Sequence, residues 1–373
     1  MSGIYFHIPF CHKKCNYCDF FTVSNSLNID KLVNSEIKEL IIRKNYLNDS
    51  IVDTIYFGGG TPSILDSKQL DKILKTVHSN FQINPKAEIT LEANPEDLNE
   101  IYLESLLKSG INRLSIGVQS FNDDVLEFLN RGHKSKDIKK NIDAAKEIGF
   151  CNISVDLIFG IPGFSYDSYF DSLKSLVELN IQHISAYGLS IVENTLFYKW
   201  LKSKYVREID EDEFVKQFEQ TMDFLNICGF EQYEISNYCK KGFESMHNSN
   251  YWNNSPYLGI GPSAHSYNLD SRQWNVSNLI KYITLIDQSK GFFEKEYLTN
   301  NDKFNEYILT NIRTIRGINL EFIKKYFFID IKKQLFALEN DGYLKRINDQ
   351  FILTRKGIVL SNFVIEKLYS DGN

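Results

Sequence analysis

Cys11, Cys15 and Cys18 fall within eight residues, in Phe10-Cys11-His12-Lys13-Lys14-Cys15-Asn16-Tyr17-Cys18, with C-x3-C-x2-C spacing. Spacings this short bring three thiolates into one loop, and three thiolates are a ligand set for a metal. Two kinds of site fit. One is a [4Fe–4S] cube, which three Cys hold while one iron stays free of a protein ligand. That iron can take the amino and carboxylate groups of S-adenosylmethionine (SAM), and the cofactor then carries the hard chemistry. The other is zinc, with His7 or His12 as fourth ligand. The loop follows a β-like run, Ile4–Ile8, so the thiolates stand at the C-terminal end of a strand, where catalytic groups gather in barrels. That position favours the cube. Cys151, Cys228 and Cys239 are scattered and read as ordinary thiols.

A second set of residues ends later β-like runs. Gly58-Gly59-Gly60-Thr61-Pro62 closes the second run. Glycines there let the backbone approach a ligand and present N–H and C=O groups to it, such as those that would hold the SAM amino group. A plain strand-to-helix turn would use the same residues. Glu92, Gln119 and Asp156 lie at or just after further runs, in Leu91-Glu92-Ala93, Val118-Gln119-Ser120 and Val155-Asp156-Leu157. A carboxylate in an apolar strand is costly to bury without a partner. Ribose hydroxyls and the SAM amino group are suitable partners, Arg131 could meet the SAM carboxylate, and a buried ion pair is the alternative for each. Convergence on one rim favours ligand binding.

The elements that must position these groups alternate. Strands are expected at Ile4–Ile8, Asp53–Phe57, Glu88–Glu92, Arg113–Val118, Asn152–Ile158 and His183–Tyr187. Helical patterns lie between them, at Ile29–Tyr46, Lys68–Ser79 and Ile138–Ile148. Six such units mean a parallel sheet, either an open barrel or a doubly wound sheet, and the motifs favour the barrel. Residues from about 190 to 295 are less regular, with a helix at Glu211–Ile227 and then a Gly/Asn/Tyr-rich loop region from Ser236 to Asn278. The last part combines helices at Phe304–Ile315, Leu320–Tyr326 and Ile331–Asn340 with strands at Tyr343–Ile347 and Gln350–Leu353, an α+β module like a winged helix. The expected division is 1–235, 236–300 and 301–373.

Bulk properties narrow the function. Net charge is −6, from 48 acidic and 42 basic residues, and the last module holds no dense basic helix, so no nucleic-acid partner is expected. No apolar run of about 18 residues is present, so no transmembrane segment is expected. The first strand begins at once and leaves no room for a signal peptide; a cytoplasmic protein is expected.

The segments from Tyr5-Phe6-His7-Ile8-Pro9-Phe10-Cys11 through Phe57-Gly58-Gly59-Gly60-Thr61-Pro62, Leu91-Glu92-Ala93-Asn94-Pro95 and Arg113–Phe121 to Asp156–Gly163 resemble the radical SAM family. The likeness is to the branch that holds the oxygen-independent coproporphyrinogen III oxidases and the heme chaperones of the HemW type. It implies an α/β fold, an open (β/α)6 partial TIM barrel of radical SAM type with a C-terminal winged-helix-like module. It also implies a [4Fe–4S] cluster, an electron donor for it, and SAM contacts at Tyr5, Tyr17, Gly59, Gly60, Thr61, Glu92, Gln119, Arg131 and Asp156. The oxidases carry a fourth Cys where this chain has Phe20, so coproporphyrinogen oxidase activity is not expected. The chaperone-like branch carries His-Asn-x-x-Tyr-Trp, present here as His247-Asn248-Ser249-Asn250-Tyr251-Trp252. A neutral imidazole is a common axial ligand of heme iron, and Tyr and Trp offer flat faces to a porphyrin. A loop-capping His beside two core aromatics is the alternative. The resemblance favours heme contact at His247 and a carrier that passes heme to an acceptor protein.

Overall fold

The computed structural model describes residues 1–24, 27–48 and 50–370. Six strands, β1 (Ser2–Ile8), β2 (Val52–Gly59), β3 (Ile83–Ala93), β4 (Arg113–Gln119), β5 (Ile153–Phe159) and β6 (His183–Gly188), pair in parallel and in chain order. A doubly wound sheet would reverse its strand order at a switch point. This one does not, which settles the choice in favour of a barrel. Among the described residues β1 and β6 are not paired with each other, so the barrel is open.

Apart from the outer end of β3, residues 83–86, the strands are buried along most of their length because both faces are covered. Ile4, Phe6 and Ile8 of β1 are fully buried, and Phe6 stacks on Phe57 of β2 at 4.8 Å. Helices Ile29–Ile42, Ser67–Asn80, Glu100–Ser109, Ser135–Ile148 and Tyr166–Glu178 lie between strands. Their starts and stops are chemical. Asp66 and Gln69 form a reciprocal capping box, and Gly110 ends its helix at φ +97°. The first helix stops at Ile42, earlier than its periodicity suggests. Arg43 there turns inward to Glu39 (2.9 Å), the Gly259 carbonyl, Ser266 and Gln273.

Those partners belong to strands that residues 236–278 were not expected to form. After β7 (Glu231–Gln232) and β8 (Asn237–Cys239), which extend the sheet from β6, come β9 (Tyr257–Ile260), β10 (His265–Tyr267), β11 (Ser271–Asn275) and β12 (Phe293–Tyr297). β9 pairs in parallel with β1, and β10 to β12 continue antiparallel to the edge. The buried Glu39 carboxylate accepts from Gly261 N and Asn275, binding this extension to the first helix.

The last module is helix Asn300–Asn311, β13 (Ile318–Asn319), helices Leu320–Phe327 and Lys332–Asn340, then β14 (Leu344–Ile347) and β15 (Gln350–Leu353), in sheet order β13-β15-β14. That helix–strand–helix–helix–hairpin order is a winged helix. It has its own core around Phe304, Leu335 and Phe351. Arg355 clamps it to the helix Glu211–Ile227 through Asp223 and Glu219. Among the described residues no helix is long and apolar enough to cross a membrane.

Candidate functional site

The cysteine loop leaves the end of β1 and is closed by backbone alone. Cys11 N donates to Val23 O (3.2 Å) and Val23 N to Pro9 O (2.7 Å). Asn16 Nδ2 donates to Phe128 O and Asn130 Nδ2 to Lys14 O, pinning the loop to the turn beyond β4. The three thiols are half-buried. Burial, with the neighbouring thiols adding, pushes Cys18 up to about 11, and burial also raises Cys11. Neither histidine named as a fourth ligand for zinc is available. His7 pairs with Tyr5 and the Phe21 carbonyl, and His12 with Asp97. Three thiols without a fourth ligand suit a cube better than zinc.

The strand ends meet the loop around a cavity of about 470 Å3. Gly60 N and Thr61 N continue the β1–β2 pairing into the loop by donating to Ile8 O and Phe10 O. A Cβ on Gly60 would lie 2.6 Å from Phe10 O. Only glycine fits there, so the second strand can end against the root of the cysteine loop. Glu92 accepts from Tyr56 Oη (2.8 Å) and Gly59 N (3.2 Å). Burial raises it to about 7, Asp156 adding to the shift while those donors oppose it. Burial likewise raises Asp156 to about 6, and its Oδ1 has no protein partner. Gln119 adopts φ +69° at a register shift between β4 and β5, a backbone that costs a non-glycine residue about 1 kcal/mol or more. A buried acid with an unused oxygen and a strained polar strand end point to a ligand rather than to a settled core.

Tyr17, Gly59, Gly60, Thr61, Glu92, Gln119, Arg131 and Asp156 all line this cavity with the three cysteines. Arg131 is largely committed to the protein. It donates to Cys15 Sγ (3.2 Å), Asn94 Oδ1 and Gly117 O, which leaves Nε without an acceptor. Tyr5 is not in the cavity wall. It lies between His7 and Tyr56 and supports the rim from beneath. Tyr187, Ser190 and Phe20 were missed and also face the cavity. Tyr187, near the end of β6, could have been found by extending the strand-end argument to the sixth strand.

His247 is placed apart from this rim. The short helix Met246–Trp252 starts on Glu88, which accepts from the backbone N–H of Met246 and His247. The imidazole is 2% exposed. Nδ1 pairs with Thr54 Oγ1 at 2.8 Å, Nε2 with Tyr251 Oη at 3.0 Å, and the ring stacks on Tyr56 at 4.8 Å. Burial, reinforced by Arg113, lowers its pKa to about 3, so it is neutral. Tyr251 and Trp252 of the same helix face a second cavity of about 740 Å3 between the barrel and the C-terminal module. Tyr187, Gly188 and Ser190 line both cavities, so the two adjoin at the end of β6.

Comparison with known proteins fits this geometry. Residues 5–176 match the radical SAM superfamily. The E. coli radical SAM enzyme coproporphyrinogen III oxidase HemN superposes with a TM-score of 0.86 at 23% identity, over 99% of this chain and 90% of its own, a likeness of fold. The heme chaperone HemW of Bacillus subtilis (strain 168) is 34% identical over 98% of both chains. The E. coli (strain K12) HemW is 32% identical over 98% of this chain and 97% of its own. With the barrel, the three-cysteine loop and this full-length likeness together, the chain belongs to the HemW family of heme chaperones within the radical SAM superfamily.

Proposed function

We propose that the protein is a heme carrier: it binds heme beside the helix Met246–Trp252 and passes it to an acceptor protein. The observation that carries this reading is the large cavity faced by Tyr251 and Trp252. Its size is in the range of sites that take cofactor-sized molecules, and the names of the full-length relatives support the choice of heme. His247 is the proposed iron ligand. It is held neutral, the state that offers a lone pair; it does not itself line the cavity, so ligation requires the Tyr251 side chain that pairs with its Nε2 to move aside. Tyr251→Phe removes that pairing. The expected result is heme affinity raised about threefold to tenfold, the worth of one net hydrogen bond. An unchanged or weakened affinity would show that the phenol assists heme instead of excluding it.

Membership of the radical SAM superfamily implies a [4Fe–4S] cluster and SAM. Cys11, Cys15 and Cys18 are proposed to hold the cluster. The SAM amino group is assigned to Glu92, which would accept from its N–H, and the ribose to Asp156 and Gln119. The glycine loop at Gly59, Gly60 and Thr61, with Tyr17 and Arg131, would line the rest of the pocket. When bound, the pair supplies one-electron chemistry, with electrons from a donor protein. Glu92 accepts fully from the amino N–H groups only as a carboxylate. With its pKa raised to about 7, SAM affinity should be flat above that pH and fall by up to about tenfold per unit below it. Isothermal titration between pH 6.5 and 8.5, above the midpoint of Asp156, checks this, and Glu92→Gln should remove most of the slope. A slope retained in that variant places the titrating group elsewhere.

A reducing cytoplasm is the proposed location, since three thiols must stay reduced to take up iron. Hand-over is tested by mixing heme-loaded protein with an apo-hemoprotein and an excess of a heme scavenger. Heme appearing in the acceptor ahead of the scavenger supports the carrier reading, and capture by the scavenger alone rejects it. Phe20 in the cluster cavity, where the oxidases have cysteine, disfavours coproporphyrinogen turnover.

A further inference from the structure

The larger cavity has walls from both parts of the chain. The barrel side gives Phe159, Phe214 and Phe218, the His-Asn-x-x-Tyr-Trp helix gives Tyr251 and Trp252, and the C-terminal module gives Arg313. Arg313 follows directly on the module's first helix and is half-buried. Two of its five N–H donors have protein acceptors, the Leu309 carbonyl (3.3 Å) and Asn362 Oδ1 (2.9 Å). Among the described residues no carboxylate reaches it within ion-pair distance. The acid in the same wall, Glu234, is directed to its own turn, where it accepts from Ser236 N and Asn237 Nδ2. Glu234 attracts the guanidinium from a distance, but with no carboxylate in direct contact three of the N–H donors remain for a ligand. Aromatic walls with a cation that keeps free donors suit a flat, apolar-faced molecule that carries carboxylates at its edge.

We propose that this cavity is the macrocycle site and that Arg313 pairs with a peripheral carboxylate of the bound tetrapyrrole. The inference rests on the carrier reading and extends it: the C-terminal module completes the heme site. Both adjoining cavities then share the β6 end at Tyr187, and a macrocycle in one touches the wall of the other.

The test is a heme titration of the full chain in six arms: wild type, Arg313→Ala and Arg313→Lys, each with heme and with its dimethyl ester, which has no free carboxylate. Wild type should prefer heme over the ester by about tenfold or more, the scale of a charge-assisted pair. Arg313→Ala should lose that preference and bind both as wild type binds the ester, while Arg313→Lys keeps part of it. Equal affinity of wild type for heme and ester overturns the anchor without any variant, so a misfolded Arg313→Ala protein cannot obscure the answer. A preference retained in a folded Arg313→Ala protein also overturns it and leaves the carrier reading in place. No saturable binding of either compound by wild type removes both.

Discussion

Alanine at any one of Cys11, Cys15 or Cys18 should leave a protein that folds but assembles no [4Fe–4S] cluster, with the iron–sulfur charge-transfer absorbance lost after anaerobic reconstitution. The loss should be complete because the cube has three protein ligands and no spare among the neighbours. His7 and His12 are engaged with Phe21 and Asp97, and Arg131 already donates to Cys15. The fold should survive because the loop is held by main-chain bonds, Cys11 to Val23 and Val23 to Pro9, and by Asn16 and Asn130. None of these uses a thiol. Cys151→Ala, at an exposed position away from the loop, should assemble the cluster normally. A full cluster spectrum in all three loop variants would sink the ligand assignment.

His247→Ala should have two separable effects. The first is on stability. The imidazole fills space between Tyr56 and Tyr251 and satisfies Thr54, all in a nearly dry interior. Losing the ring and two buried hydrogen bonds should destabilise the chain by about 3 kcal/mol, readable as a lower urea midpoint. The second is on heme. With the axial ligand gone, affinity should fall by more than tenfold and the Soret band of the residual complex should shift, while the cluster stays in place. Stability lost with an unaltered heme spectrum would make His247 a structural residue only. His247→Met distinguishes the two further, because a thioether can still ligate iron and should give a different band at lower affinity.

What could be read in the sequence was what lies close together in the chain. The cysteine spacing, Gly59-Gly60-Thr61 and the polar ends of strands β3 to β5 are local patterns, and the fold carries all of them to one rim. Tyr5 was placed on that rim by resemblance. The β1 register instead sets its ring beneath, against Tyr56 and His7, which spacing along a strand does not reveal. The strands β9 to β12 escaped notice because they are short, three to five residues each, and largely polar. Their stability comes from distant partners, Arg43 and Glu39 on the first helix. The helix Asn300–Asn311 begins four residues before its apolar pattern, at a capping box made by Thr299 and Asp302. The burial of His247 and the placing of Arg313 in one cavity wall with Tyr251 and Trp252 both depend on packing between segments far apart in sequence, and no motif records them.

The carrier reading is tested most directly by an equilibrium titration of the anaerobically reconstituted wild-type protein with heme, followed at the Soret band. It should saturate at one heme per chain with the spectrum of a histidine-ligated iron. A linear, unsaturating rise, or a band no different from heme with an unrelated protein, would contradict the account and return the larger cavity to a substrate other than heme.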